Sequence, residues 1–175
     1  MNHAARDLIW QYTYELYYDC YFEELLMYYL SGRWIKVDIV ARILMAVTAS
    51  GSTISGWTLW QQPNFKTAWA IIAGFTALLA ITYMTLNVTE KVKLHTQSYK
   101  DFFGLRQKLQ QFRNDLGIDP NFQIEEMNSQ LKTFGDIYSS ICSQSAYDIL
   151  NTKKLKKTTQ VEINHKLSDI IQKEG

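Results

Sequence analysis

The chain has 175 residues, a formal net charge of +1 and three histidines, so it lacks the basic excess of a nucleic-acid binder, and no direct nucleic acid binding is expected. Its two cysteines, Cys20 and Cys142, form no CxxC pair, which argues against a disulfide framework or a zinc site. The mean hydropathy of −0.19 averages a very apolar centre with polar flanks.

Residues 4–30 lack glycine and proline and place Leu8, Tyr12, Leu16, Cys20, Glu23 and Met27 at helical spacing. This predicts an amphipathic cytoplasmic helix within residues 1–36. Ser31-Gly32 is expected to end it, because glycine favours the left-handed position beyond a helix. The helix also holds Tyr12, Tyr14, Tyr17, Tyr18, Tyr21, Tyr28 and Tyr29. Beside a membrane, aromatic residues form an interfacial belt or pack on neighbouring helices, and either is expected here before a cofactor site.

Two apolar stretches, 39–60 and 67–88, lie within residues 37–90 and are separated only by Gln61-Gln62-Pro63-Asn64-Phe65-Lys66. Each has 22 residues. At roughly 1.5 Å per residue such a helix covers about 33 Å, enough to cross a hydrocarbon core of about 30 Å. The stretches are expected to form a transmembrane hairpin turned at Pro63 and Asn64. Two core helices of a soluble bundle would also be apolar, but each would have to be apolar all round, with little chain left to wrap it. The first run starts too late and is too long for a cleaved signal peptide, and it is expected to remain as an anchor.

Arg33 and Lys36 precede the first stretch, Lys66 alone lies in the turn, and Lys91, Lys93, Lys100 and Arg106 follow the second. That bias is expected to place both termini of a multi-pass membrane protein in the cytoplasm. Trp57, Trp60, Phe65 and Trp69 then gather at the outer interface. Arg42, the one charge inside a stretch, follows Asp38 by four residues, a spacing that allows a pair, and its head can snorkel to the inner boundary. Met45, Ala49, Ser52 and Gly56 recur by fours and threes, bordered by Thr48 and Ser55, while Ala70, Gly74 and Ala77 make a small face on the second stretch. In lipid, small and hydroxyl faces are what let helices pack. These residues are the helix-packing or pore-lining candidates, serving the hairpin itself or contacts between copies.

Helical pattern continues unbroken from the second stretch through Glu90 to Leu116, with Val92, His95, Tyr99, Phe102, Phe103, Leu109, Phe112 and Leu116 on one stripe. It predicts a coiled-coil-like cytoplasmic stalk. Asn87-Val88-Thr89 matches a glycosylation acceptor that is inert on the cytoplasmic side. Gly117 to Pro120 ends the stalk, and Asn121 caps a return helix over 122–150 carrying Ile124, Met127, Leu131, Phe134, Ile137, Tyr138 and Ile141; stalk and return helix fill residues 91–150. The tail, 151–175, holds the basic run Lys153-Lys154-Leu155-Lys156-Lys157, a contact for anionic headgroups or a solvated run, and a short helix over 160–173 with Val161, Leu167, Ile170 and Ile171.

His3, His95 and His165 lie far apart, and no phosphate loop, GxSxG or HExxH motif occurs. The adjacent pairs Glu23-Glu24 and Glu125-Glu126 point to different sides of a helix and read as solvated charges. No catalytic residue, cofactor or metal ligand is expected, and the chain is not expected to be an enzyme. The residues thus predict an all-α integral membrane protein, a two-transmembrane helical hairpin with long cytoplasmic helical extensions.

This layout, with His95, Tyr99 and Phe103 at four-residue steps after the second span, resembles the SLATT family of bacterial two-transmembrane effectors over residues 5–150. The resemblance implies a membrane effector that permeabilises or depolarises the inner membrane during antiphage abortive infection. It further implies control by a nucleotide signal or by a partner from the same operon: a nucleotide-second-messenger synthase, a reverse transcriptase or another sensor. Joined to the small faces, it leads us to expect a homo-oligomer in the lipid bilayer. The family has no catalytic residues, and the tyrosine-rich helix has no match in it. A non-lytic membrane scaffold or sensor, recruiting a partner through its cytoplasmic helices, is the alternative; a holin-like phage protein is a third.

Overall fold

Proline is absent before Pro63, so nothing in the backbone chemistry obstructs a long first helix. The computed structural model describes residues 3–54, 63–118, 123–144 and 148–174, and these form α1 (His3–Ile54), α2 (Pro63–Thr85), α3 (Val88–Ile118), α4 (Ile124–Gln144) and α5 (Lys153–Glu174), with no strand among the described residues. The chain is all-α, as expected. Pro63 stands at the first position of α2, where its missing N–H is not needed.

Two expected helix ends are exchanged. Ser31-Gly32 does not stop α1; no described glycine has a positive φ, and Leu30, Ser31 and Trp34 are buried around it. A glycine inside a helix costs only about 1 kcal/mol relative to alanine, which packed neighbours override. The run from the second span into the expected stalk is instead broken at Leu86 and Asn87. Asn87 adopts φ 48°, a left-handed conformation that asparagine tolerates better than most residues. Its amide donates to Met84 O (3.1 Å) and its carbonyl accepts from the Lys91 amide (3.0 Å), so one residue closes α2 and opens α3.

Contacts divide the chain into two units, Met1–Leu30 with Leu94–Gly175, and Ser31–Lys93. In the first, α3 buries His95, Ser98, Phe102, Leu105, Leu109, Phe112 and Leu116, alternating steps of three and four that draw one seam down the helix. On α1 the buried line is Ile9, Thr13, Tyr17, Cys20, Glu24 and Met27. That is one residue away from the expected stripe at its start: Leu8 and Tyr12 are each 52% exposed. Thr13 can take a core position because its hydroxyl donates to Ile9 O at 2.7 Å.

The two seams meet antiparallel. Arg6 Nη2 donates to Leu116 O (2.5 Å), Cys20 Sγ to Phe102 O (3.2 Å), and the Tyr28 and Tyr99 rings lie 5.8 Å apart. α4 lays Met127 and Ile141 into the core and sets Phe134 against Phe112 and Tyr138 against Phe102, with ring centroids at 5.5 and 5.8 Å. α5 adds Leu155, Ile163 and Leu167. The expected stalk is therefore one member of a packed helical bundle, and the basic run Lys153 to Lys157 is the first turn of α5, with Leu155 turned inward. α4 ends at Gln144 rather than at 150, and Val161 is 62% exposed rather than on the apolar face.

Candidate functional site

Within Ser31–Lys93, α1 and α2 share one seam. Ala41 is buried and Met45 and Thr48 half-buried on α1; Thr76, Leu79, Ala80 and Tyr83 are half-buried on α2. Thr48 Oγ1 lies 3.0 Å from Thr76 Oγ1, while the same hydroxyls also reach Leu44 O (2.7 Å) and Ile72 O (2.9 Å). Each hydroxyl has one hydrogen, so two of these three bonds form at a time. Lower on the seam, Asp38 accepts from Arg42 Nε at 3.0 Å, as the four-residue spacing predicts, and from the Tyr83 hydroxyl, which also lies 3.0 Å from Thr89 Oγ1. Arg42 itself keeps a largely exposed side chain.

Away from that seam the hairpin is bare and apolar. Val47 is 65% exposed, Ile71 68%, Phe75 64%, Leu78 66% and Met84 75%. A water-facing surface rarely carries so much contiguous apolar area unless something covers it. Among the described residues, one candidate stretch, within Ala70–Gly117, is long and apolar enough to cross a membrane; that range continues past the break at Leu86 and Asn87, and almost none of its apolar part is buried. The expected first span, 39–60, runs beyond Ile54 into 55–62, which lie outside the described residues.

The small-residue candidates divide accordingly. Met45 and Thr48 face α2, so part of the α1 face closes the hairpin on itself. Ala70, Gly74 and Ala77 are exposed, and a Cβ added to Gly74 would meet nothing within 4 Å. Ala49 and Ser52 belong to α1 by backbone, their side chains lying outside the described set; Ser55, Gly56, Trp57 and Trp60 lie outside it altogether. Phe65 and Trp69 are placed in α2 by backbone alone.

Chemistry in the helical bundle was harder to foresee. Glu24 is 5% exposed rather than solvated, and Arg106 Nε donates to its Oε2 at 2.5 Å. The Arg106 guanidinium also stacks 4.6 Å from the Tyr21 ring centroid. Arg113 sits among Trp10, Tyr14 and Tyr17 at 5.4, 5.5 and 5.2 Å, so part of the tyrosine-rich helix holds two α3 arginines by cation–π contact. Burial, then the neighbouring Glu24 carboxylate, pushes the Cys20 thiol up to about 12.

His95 Nε2 lies 2.7 Å from Asp148 Oδ2, both side chains 1% exposed, and Asp148 Oδ1 accepts the Leu150 amide at 2.7 Å. The pair pins the segment before α5 to α3. Both side chains are buried, and the pair acts as a structural tie between the two segments. Tyr99 is half-buried and Phe103 is 42% exposed: four-residue steps rotate about 40° each around a helix, so the His95, Tyr99 and Phe103 stripe leaves the core as it runs. No group of three or more metal-ligating side chains occurs among the described residues.

No family model, curated protein or solved structure matches the chain. The SLATT resemblance accordingly rests on the layout and on His95, Tyr99 and Phe103.

Proposed function

We propose that the chain is a two-span effector of the bacterial inner membrane, related to the SLATT family, that assembles from several copies and depolarises the cell during antiphage defence. Both termini lie in the cytoplasm, where a nucleotide signal or a sensor from the same operon controls it, and it catalyses no reaction. The observation that carries this reading is the bare apolar surface around the hairpin, from Val47 on α1 to Phe75 and Met84 on α2. In water each such side chain forgoes roughly 1.5 to 3 kcal/mol of burial, whereas lipid covers it without cost. Within that surface Ala70, Gly74 and Ala77 remain open, a place where another backbone can approach.

The test is expression in a bacterium carrying a membrane-potential dye, with candidate operon partners and nucleotide triggers supplied. Loss of potential without added lysis proteins is the expected result. Polarised, growing cells under strong induction with the triggers present contradict it. They would favour the second reading, a non-lytic scaffold or sensor, which draws on the separate core of Met1–Leu30 with Leu94–Gly175, a larger folded unit than an anchor requires.

A further inference from the structure

A groove of about 350 Å3 opens on the hairpin unit between α1 and α2, walled by Val37, Val40, Leu79, Leu86 and Val88 above a floor of buried Ala41. The two side chains there that carry hydroxyls do not make it polar. Thr82 Oγ1 donates to Leu78 O of its own helix at 2.8 Å, and the Tyr83 hydroxyl is taken up by Asp38 and Thr89. Water entering the groove would find no donor or acceptor to satisfy it. The one charged residue on the lining is Lys36, exposed at the start of the hairpin.

An apolar slot ending at a single cation matches an amphiphile with a negative head. We propose that this groove holds an acyl chain of an anionic phospholipid, with the Lys36 ammonium on its phosphate. The inference rests on the hairpin lying in the bilayer, and it adds a specific ligand to that reading. Charge separates this occupant from the obvious rival, a second copy of the hairpin: the acids of the hairpin unit are Asp38 and Glu90, the first already held by Arg42 and Tyr83 and the second by Lys93, so another copy brings no spare counter-ion for Lys36. A lipid phosphate does, and basic residues on the cytoplasmic side of spans are where anionic headgroups are held.

The experiment reconstitutes the full chain into nanodiscs of phosphatidylcholine doped with phosphatidylglycerol and counts lipids that stay bound on release into detergent, by native mass spectrometry. Wild type is expected to retain phosphatidylglycerol about fivefold over its share of the disc, and Lys36→Gln to lose that preference, the worth of one basic side chain near an anionic headgroup. Val40→Trp, which fills the groove from its exposed edge, is expected to retain neither lipid. Ile43→Trp, on the exposed face beside it, is expected to behave as wild type. Equal retention by wild type and Val40→Trp overturns the groove, as does an equal loss in Val40→Trp and Ile43→Trp, which marks ordinary boundary lipid. A lipid-free dimer overturns it in favour of a second copy. A chain that never enters the disc and washes off membranes in alkali overturns the membrane reading itself, whereas a chain that inserts but retains no lipid overturns the groove alone.

Discussion

Glu24 and Arg106 illustrate what a buried ion pair does and does not contribute. Removing one partner leaves a charge in the core, so Arg106→Met is expected to lower stability by about 3 kcal/mol, whereas Glu24→Leu with Arg106→Met recovers most of the loss. Thermal melting of the helical signal in detergent reads both. A second expectation concerns alkaline pH. Burial raises the thiols of Cys20 and Cys142 and the phenol of Tyr138, and the hydrogen bond to Glu162 pushes Tyr29 up to about 12. An unfolded thiol loses its proton near 9.0, while Cys20 holds its proton up to about 12 in the folded chain. Between those values the unfolded state binds fewer protons, so stability falls as pH rises through the window. Melting temperatures taken across it should decline, less steeply for Cys20→Ala; a flat profile contradicts the burial of these groups. At this scale the sequence was least legible. Asp38 and Arg42 are four positions apart and could be paired on spacing, but Glu24 and Arg106 are separated by 82 positions and His95 and Asp148 by 53, and no local rule joins them.

Among the helices, periodicity carried the reading and punctuation misled it. The apolar positions of α4 fall where a period of 3.6 puts them, because each is chosen by the core it meets. The break between α2 and α3 was hidden, since Asn87 looks like an ordinary helical residue until its φ of 48° is known, and Gly32 looked like a stop that packing overrides. Asn87→Gly is therefore expected to leave stability within a few tenths of a kcal/mol, and Asn87→Val to cost about 1 to 2 kcal/mol, a difference that a denaturation series in detergent resolves. The small face of α2 gives a test of assembly. Gly74→Leu meets nothing within the chain, so the hairpin should insert unchanged. If copies pack through Ala70, Gly74 and Ala77, cross-linked oligomers and depolarisation should both be lost; an unchanged ladder and undiminished toxicity contradict assembly through that face.

For the whole molecule, the sequence showed an apolar centre between amphipathic flanks and suggested four successive segments, whereas contacts group the described residues into two units. What the sequence could not convey is that residues 4–30 and the segments after Leu94 share one core, because their union depends on side chains far apart in the chain meeting across a seam. The central claim is that the hairpin crosses the membrane and returns. Labelling with an impermeant thiol reagent in intact cells tests it most directly: in a Cys142→Ser background, Asn64→Cys, at the start of α2, should react, while Gln172→Cys in α5 should react only after the cells are permeabilised. Labelling of Gln172→Cys in intact cells, or protection of Asn64→Cys, would contradict the account.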